Sequence, residues 1–67
     1  MSFDDASRWC LEHDARLSTD KGPDGSRLTL SAYGLSISEA LLDESWKTWH
    51  ETLVRLVALL QRRMPRA

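Results

Sequence analysis

Large apolar residues recur at helical spacing in the last third of the chain. At about 100° per residue they fall within about 100° of arc on one side of a helix. They are Trp46, Trp49, Leu53, Leu56, Val57, Leu60 and Met64. Asp43 or Ser45 can cap the start, and Pro65 marks a stop. The pattern predicts a helix over residues 44–64.

The first residues of the chain predict a second, shorter amphipathic helix. Ser2 can cap its start, and Asp4 and Asp5 lie in the first turn, where the helix dipole favours negative charge. One side of this helix carries Phe3, Ala6, Trp9, Cys10 and His13, and the opposite side carries Arg8 and Glu12. A helix over residues 2–13 therefore has one face to bury and one to expose.

Alternating apolar and polar residues predict two strands between the helices, at residues 15–19 and 27–33. The positions that share a face are Ala15, Leu17 and Thr19 in the first and Leu28, Leu30 and Ala32 in the second. Pro23 and Gly25 favour a turn within the intervening DKGPDGS. Together these features predict an antiparallel β-hairpin with a rather long loop.

Residues 35–40 fit either a short third strand or an early extension of the last helix. A helix through this segment would place Glu39 inside the apolar arc and turn Ile37 towards the charged side. An extended segment instead places Leu35 and Ile37 on one face. We therefore predict that residues 35–40 are extended.

The order of these elements, α-β-β-(β)-α, predicts a small single α+β domain over residues 1–67. An antiparallel hairpin or short sheet would be packed on one face by an N-terminal and a longer C-terminal amphipathic helix. The predicted core comprises Phe3, Trp9, Leu17, Leu28, Leu30, Trp46, Trp49, Leu53, Leu56, Val57 and Leu60.

The last helix has more apolar side chains than so small a sheet can cover. Val54 and Leu59 lie on opposite flanks of the main stripe, and Leu41 would join Leu59 if the helix began early. A 67-residue chain buries only about 60% of its extended surface and needs further stabilisation. Because Cys10 is the one cysteine, an intrachain disulfide is excluded, and self-association through Leu41, Val54 and Leu59 is the remaining expectation.

Charge and composition narrow the location and the partners. The net charge is −1, so the chain as a whole carries no strong field for nucleic acid or membrane. No apolar run approaches the about 20 residues that cross a bilayer, and the N-terminus lacks signal-peptide features. The single unpaired thiol is typical of a reducing compartment. We expect a cytoplasmic protein without membrane contact.

Candidate chemistry is limited to Cys10, His13, Asp14 and His50. Cys10 and His13 share a helix face, as two metal ligands or a Cys–His nucleophile pair could. A structural zinc site, however, takes four such ligands, and ordinary packing explains the same residues. Motifs of the major enzyme classes, such as GxSxG, HExxH and the phosphate-binding glycine loops, are missing from the sequence. The expectation is a protein without enzymatic activity, metal or cofactor.

Three binding hypotheses remain. The favoured one is a non-enzymatic protein–protein interaction module that forms a homodimer through its C-terminal helix. The alternative is a small regulatory or inhibitory protein that binds a larger host or nucleic-acid-processing protein. In the third and least favoured, Arg62, Arg63 and Arg66 contact nucleic-acid phosphates, although cations at a helix C-terminus also offset its dipole.

Overall fold

Capping residues and short turns divide the chain into five elements. The computed structural model describes residues 1–23, 25–41 and 45–64. Its elements are α1 (Phe3–Glu12), β1 (Arg16–Gly22), β2 (Gly25–Ala32), β3 (Leu35–Leu41) and α2 (Trp46–Arg63). The strands form one antiparallel sheet in the order β1-β2-β3. The predicted α+β class is confirmed, and residues 35–40 are a strand.

Both helices begin at a serine whose hydroxyl group caps the first turn. The Ser2 hydroxyl accepts a hydrogen bond from the Asp5 N–H, and the Asp5 carboxylate accepts one from the Ser2 N–H. This reciprocal pair satisfies two backbone donors that would otherwise lack partners. At α2, Ser45 accepts from the Thr48 N–H. The other proposed cap, residue 43, lies outside the described residues. Within the described part of the chain, no helix is both long and apolar enough to cross a membrane.

A left-handed residue ends α1 and turns the chain into the sheet. Asp14 has a φ of 52°, and the Ala15 N–H donates to the Cys10 carbonyl at 2.9 Å. This bond spans the helix end in the manner of a Schellman cap. The three residues 13–15 therefore suffice to end α1 and begin β1.

The two connections in the sheet are short. Tyr33 and Gly34 join β2 to β3 with φ values of 54° and 76°, the signature of a type I′ hairpin turn. At the other end Gly22 pairs with Gly25, so β1 and β2 extend further than the sequence pattern predicts. The prediction of a long loop at DKGPDGS is wrong, because the backbone pairing of β1 with β2 continues through residues whose side chains do not favour strands.

The core lies between one face of the sheet and the helices. α2 packs on β2 and β3, and α1 packs against α2. The buried apolar residues are Ala6, Leu28, Leu30, Ala32, Leu53, Leu56, Val57 and Leu60. Phe3, Trp9 and Trp49 are partly buried against this cluster. The opposite face of the sheet carries mostly small or polar side chains, including the cross-strand row Ser18, Thr29 and Ser38.

Two residues assigned to the core by their spacing are exposed. Leu17 is 37% exposed because α2 covers β2 and β3 rather than the edge strand β1. Trp46 is 75% exposed at the first position of α2. Periodicity gives the direction in which a side chain points, but not how far the neighbouring element extends to meet it.

Candidate interaction surface

An apolar groove lies in the gap that α1, β1 and α2 leave between them. Its volume is about 290 Å³, and it is lined by Ser7, Cys10, Leu11, Ala15, Leu17, Trp49 and Leu53. Leu11 is 84% exposed at its rim, and Leu17 is partly open. The groove exists because α2 is seated over the other two strands, leaving β1 uncovered. An apolar side chain from a second molecule could enter it.

An aromatic cluster extends the apolar surface beyond the groove. The Phe3 and His50 rings stack with centroids 3.9 Å apart, and Phe3 meets Trp49 edge-on at 5.9 Å. Trp46 contacts Trp49 edge-on at 6.2 Å and presents most of its own surface to solvent. Since Trp49 also lines the groove, it joins the buried part of the aromatic cluster to the groove wall.

A second set of rings fixes the end of α1 to the sheet. Trp9 stacks on His13 with ring centroids 4.5 Å apart. The His13 Nδ1 atom lies 2.7 Å from the Tyr33 hydroxyl oxygen, a hydrogen bond between the α1 cap and the β2–β3 turn. His13 therefore has a packing role and a hydrogen-bond partner without any metal or substrate.

The residues that suggested chemistry do not form a common site. His13 bonds Tyr33, His50 stacks on Phe3, and Cys10 lines the groove. Burial raises the pKa of the Cys10 thiol, which disfavours the thiolate needed by a nucleophile or a metal ligand. Among the described residues, no group of three His, Cys, Asp or Glu side chains is placed to hold a metal ion.

The flanks of α2 expose less apolar surface than the helical wheel indicates. Leu41 lies in β3 rather than on the helix, and it packs against the core, as does Val54. Leu59 is partly buried. Among the larger exposed apolar side chains, Leu11 and Leu17 lie at the groove and Trp46 lies in the aromatic cluster. The prediction that Leu41 could extend the Leu59 flank is wrong because the chain at residue 41 is still extended.

The arginines at the end of α2 are separate from the groove. Arg62 and Arg63 are exposed in the last turn of the helix, and Arg66 lies outside the described residues. At 1.5 Å per residue, Arg63 is about 20 Å along the helix axis from Trp49. Cations and apolar surface therefore do not form one continuous binding site.

Sequence reasoning missed Leu11 as a surface residue. The available signal was a leucine outside the buried arc of α1, on the side assigned to solvent. Its importance depends on the position of β1, because only the tertiary arrangement places Leu11 and Leu17 around the same groove.

Known proteins add no assignment to this geometry. No protein-family model matches the chain, and neither the curated proteins nor the solved structures contain a significant match to it.

Proposed function

We propose that this protein is a non-enzymatic interaction module that self-associates, and that the groove between α1, β1 and α2 is its contact surface. The observation that carries the proposal is Leu11, 84% exposed on the rim of an apolar groove that Leu17 and Trp49 also line. An isolated exposed leucine is ordinary, but clustered apolar side chains around a groove are typical of interaction sites.

A second copy is the occupant that the size of the protein favours. A chain of 67 residues has a small core, and oligomerisation is a common source of additional stability for such chains. Full burial of a leucine side chain contributes roughly 1.5–3 kcal/mol. In a two-fold interface each residue is used twice, so Leu11 and Leu17 would supply four buried leucines from a short contact.

Light scattering after size exclusion tests the proposal, at protein concentrations from about 1 to 200 μM under reducing conditions. We expect the mass of a dimer at the upper end of this range. Leu11→Glu should shift the protein to the monomer mass, because the new carboxylate would be desolvated in the contact. Arg8→Glu is the matched control, since it adds the same acid to an exposed position of α1 and should leave the dimer intact.

Two results would contradict the proposal. A monomer throughout the concentration range would exclude self-association and favour the alternative, a regulatory or inhibitory protein that binds a larger partner. A dimer that survives Leu11→Glu but dissociates with Leu59→Glu would place the contact on the flank of α2 instead of the groove.

A further inference from the structure

We propose that two copies pair through the free edge of β1, antiparallel about a two-fold axis at Ser18, so that their sheets join into one. This inference rests on the proposed self-association and adds the register and the residues that select it. The edge is available because β1 is the first strand of the sheet and all of its residues are exposed. It also borders the apolar groove through Leu17.

The direction of the backbone groups in β1 follows from the turn at the far side of β2. In a two-residue type I′ hairpin, the flanking residues Ala32 and Leu35 form a hydrogen-bonded pair. Backbone groups alternate along a strand, so Ala32 and Leu30 face β3 while Ser31 and Thr29 face β1.

The same alternation carries over to β1. Its partners in register are Arg16 with Ser31 and Ser18 with Thr29, so Arg16 and Ser18 direct their N–H and C=O groups towards β2. Leu17 and Thr19 direct theirs away from the sheet. A second strand must therefore form its hydrogen-bonded pairs with residues 17 and 19.

An axis at Ser18 satisfies this requirement. Leu17 of each copy then pairs with Thr19 of the other, and both belong to the set whose backbone groups point outwards. The neighbouring pair places Arg16 opposite Asp20 of the second copy. By symmetry this ion pair occurs twice, on the face of the sheet away from the helices.

Charge selects this register over its neighbours. An axis at Thr19 would place Arg16 opposite Gly22, and an axis at Leu17 would place Asp20 opposite Asp14. Registers displaced by a single residue would place the outward-pointing backbone groups of one copy opposite the inward-pointing groups of the other. The hydrogen bonds between the two β1 strands would then be lost. In the Ser18 register Arg16 and Asp20 form a non-hydrogen-bonded pair, the kind in which side chains approach most closely, with Cα atoms about 4.5 Å apart.

The helices fit this arrangement. A two-fold axis perpendicular to the sheet keeps all four helices on one face. α1 joins β1 at Ala15, which lies opposite residue 21 of the second copy, so the two α1 helices approach the paired strands from opposite ends. Leu17 of each copy becomes a diagonal neighbour of the other Leu17, within reach of side-chain contact. The two grooves would then meet across the axis.

Complementary charge reversal tests this register directly. Arg16→Glu would oppose two pairs of acids across the axis, and Asp20→Arg would oppose two pairs of arginines. At about 20 mM salt, where screening is weak, each variant alone should dimerise at least roughly tenfold more weakly than the wild type. A mixture of the two should recover affinity as a one-to-one heterodimer, because both of its cross-axis pairs are again opposite in charge.

The mixture separates interface effects from damage to the fold. Asp20 faces Arg27 within its own chain, so Asp20→Arg could weaken the monomer. Thermal unfolding monitors that effect, and a merely unstable variant would not be rescued by a second variant. Hydrogen exchange of the wild type gives a further readout, because the Leu17 and Thr19 amides should become protected as concentration rises.

The possible outcomes separate pairing through β1 from the more general proposal of self-association. A wild-type monomer would overturn both. A wild-type dimer whose affinity is unchanged by either reversal, or whose variants do not recover on mixing, would overturn β1 pairing about Ser18 while leaving self-association through the groove intact. Formation of the heterodimer with protected Leu17 and Thr19 amides would support the register.

Discussion

Glu39 lies directly opposite Leu28 on the helix-covered face of the sheet, so an acid sits beside a fully buried leucine. Its Oε1 atom accepts a hydrogen bond from Arg55 at 3.2 Å. Its Oε2 atom is buried and makes no hydrogen bond within the described part of the chain. The Arg55 ion pair therefore compensates only half of the carboxylate that β3 carries into the apolar face.

Replacing this acid should stabilise the protein. We expect Glu39→Leu to raise the free energy of unfolding by about 1 kcal/mol, because partly buried ion pairs are often matched or exceeded by apolar residues of similar size. Urea unfolding measures the change. Ser38→Leu, which adds a leucine to the exposed face of the same strand, should give no such gain. A loss of stability with Glu39→Leu would mean that Arg55 contributes more than the unpaired oxygen costs.

The first position of α2 and its buried middle should respond differently to truncation. Leu56 is fully buried, and Leu56→Ala should destabilise the fold by about 2–5 kcal/mol. Trp46 is mostly exposed, so Trp46→Ala should cost less than about 1 kcal/mol. Denaturant midpoints at low protein concentration test the contrast. Equal losses would show that Trp46 packs more deeply than its exposure indicates.

The left-handed cap of α1 is a site for a stabilising change. Asp14 holds a φ of 52° and places a negative charge at a helix C-terminus, and both features are unfavourable. Asp14→Gly should raise the free energy of unfolding by about 0.5 kcal/mol, reduced by the greater freedom of glycine in the unfolded chain. Glu12→Gly, inside the helix, is the matched control and should lower it by a similar or greater amount.

The capping box of α1 should be visible in an acid titration. The hydrogen bond from the Ser2 N–H, reinforced by the Ser2 side chain, holds the pKa of Asp5 below its usual value of 3.8. The stability contributed by this bond is therefore present above pH 3.8 and is lost as the pH falls through the lowered pKa. NMR titration of the Asp5 carboxyl carbon measures the shift.

Ser2→Ala should move the Asp5 pKa upwards, because it removes the reciprocal bond that holds the cap together. Ser7→Ala makes the same substitution in the middle of α1 and should leave that pKa unchanged. An Asp5 pKa that does not respond to Ser2→Ala would show that the Ser2 hydroxyl does not lower it, and would leave the residue-2 N–H, which alanine retains, as the main cause.

Local signals were sufficient to predict the elements but not all of their contacts. Caps and helical spacing located both helices within one or two residues. The strand predicted at residues 35–40 is confirmed, but the reason for it was partly wrong. A helix was rejected there because it would bury Glu39, yet the strand also places Glu39 on the helix-covered face, with Arg55 as its partner. A pairing between distant elements cannot be obtained from the spacing in one of them.

The candidate site was less predictable than the fold. The groove exists because of which strands α2 covers, and the sequence around Leu11 or Leu17 does not indicate which strands those are. Helical periodicity assigned the surplus apolar surface to Leu41, Val54 and Leu59, whereas the structure exposes Leu11 and Leu17 at the groove. Only the tertiary packing places this exposed apolar surface between α1, β1 and α2.

The order β1-β2-β3 also has a consequence for folding. Consecutive strands that are close in sequence need little loop closure, so the sheet can form from contacts that are local in sequence. The Phe3–Trp49 contact, by contrast, joins the first helix to the last one across the whole sheet sequence and should form late. Because α1 supplies one wall of the groove, we expect the groove to be the last part of the molecule completed. Chains caught before that step would present Trp49 and Leu53 to solvent together, making this intermediate the most prone to aggregate.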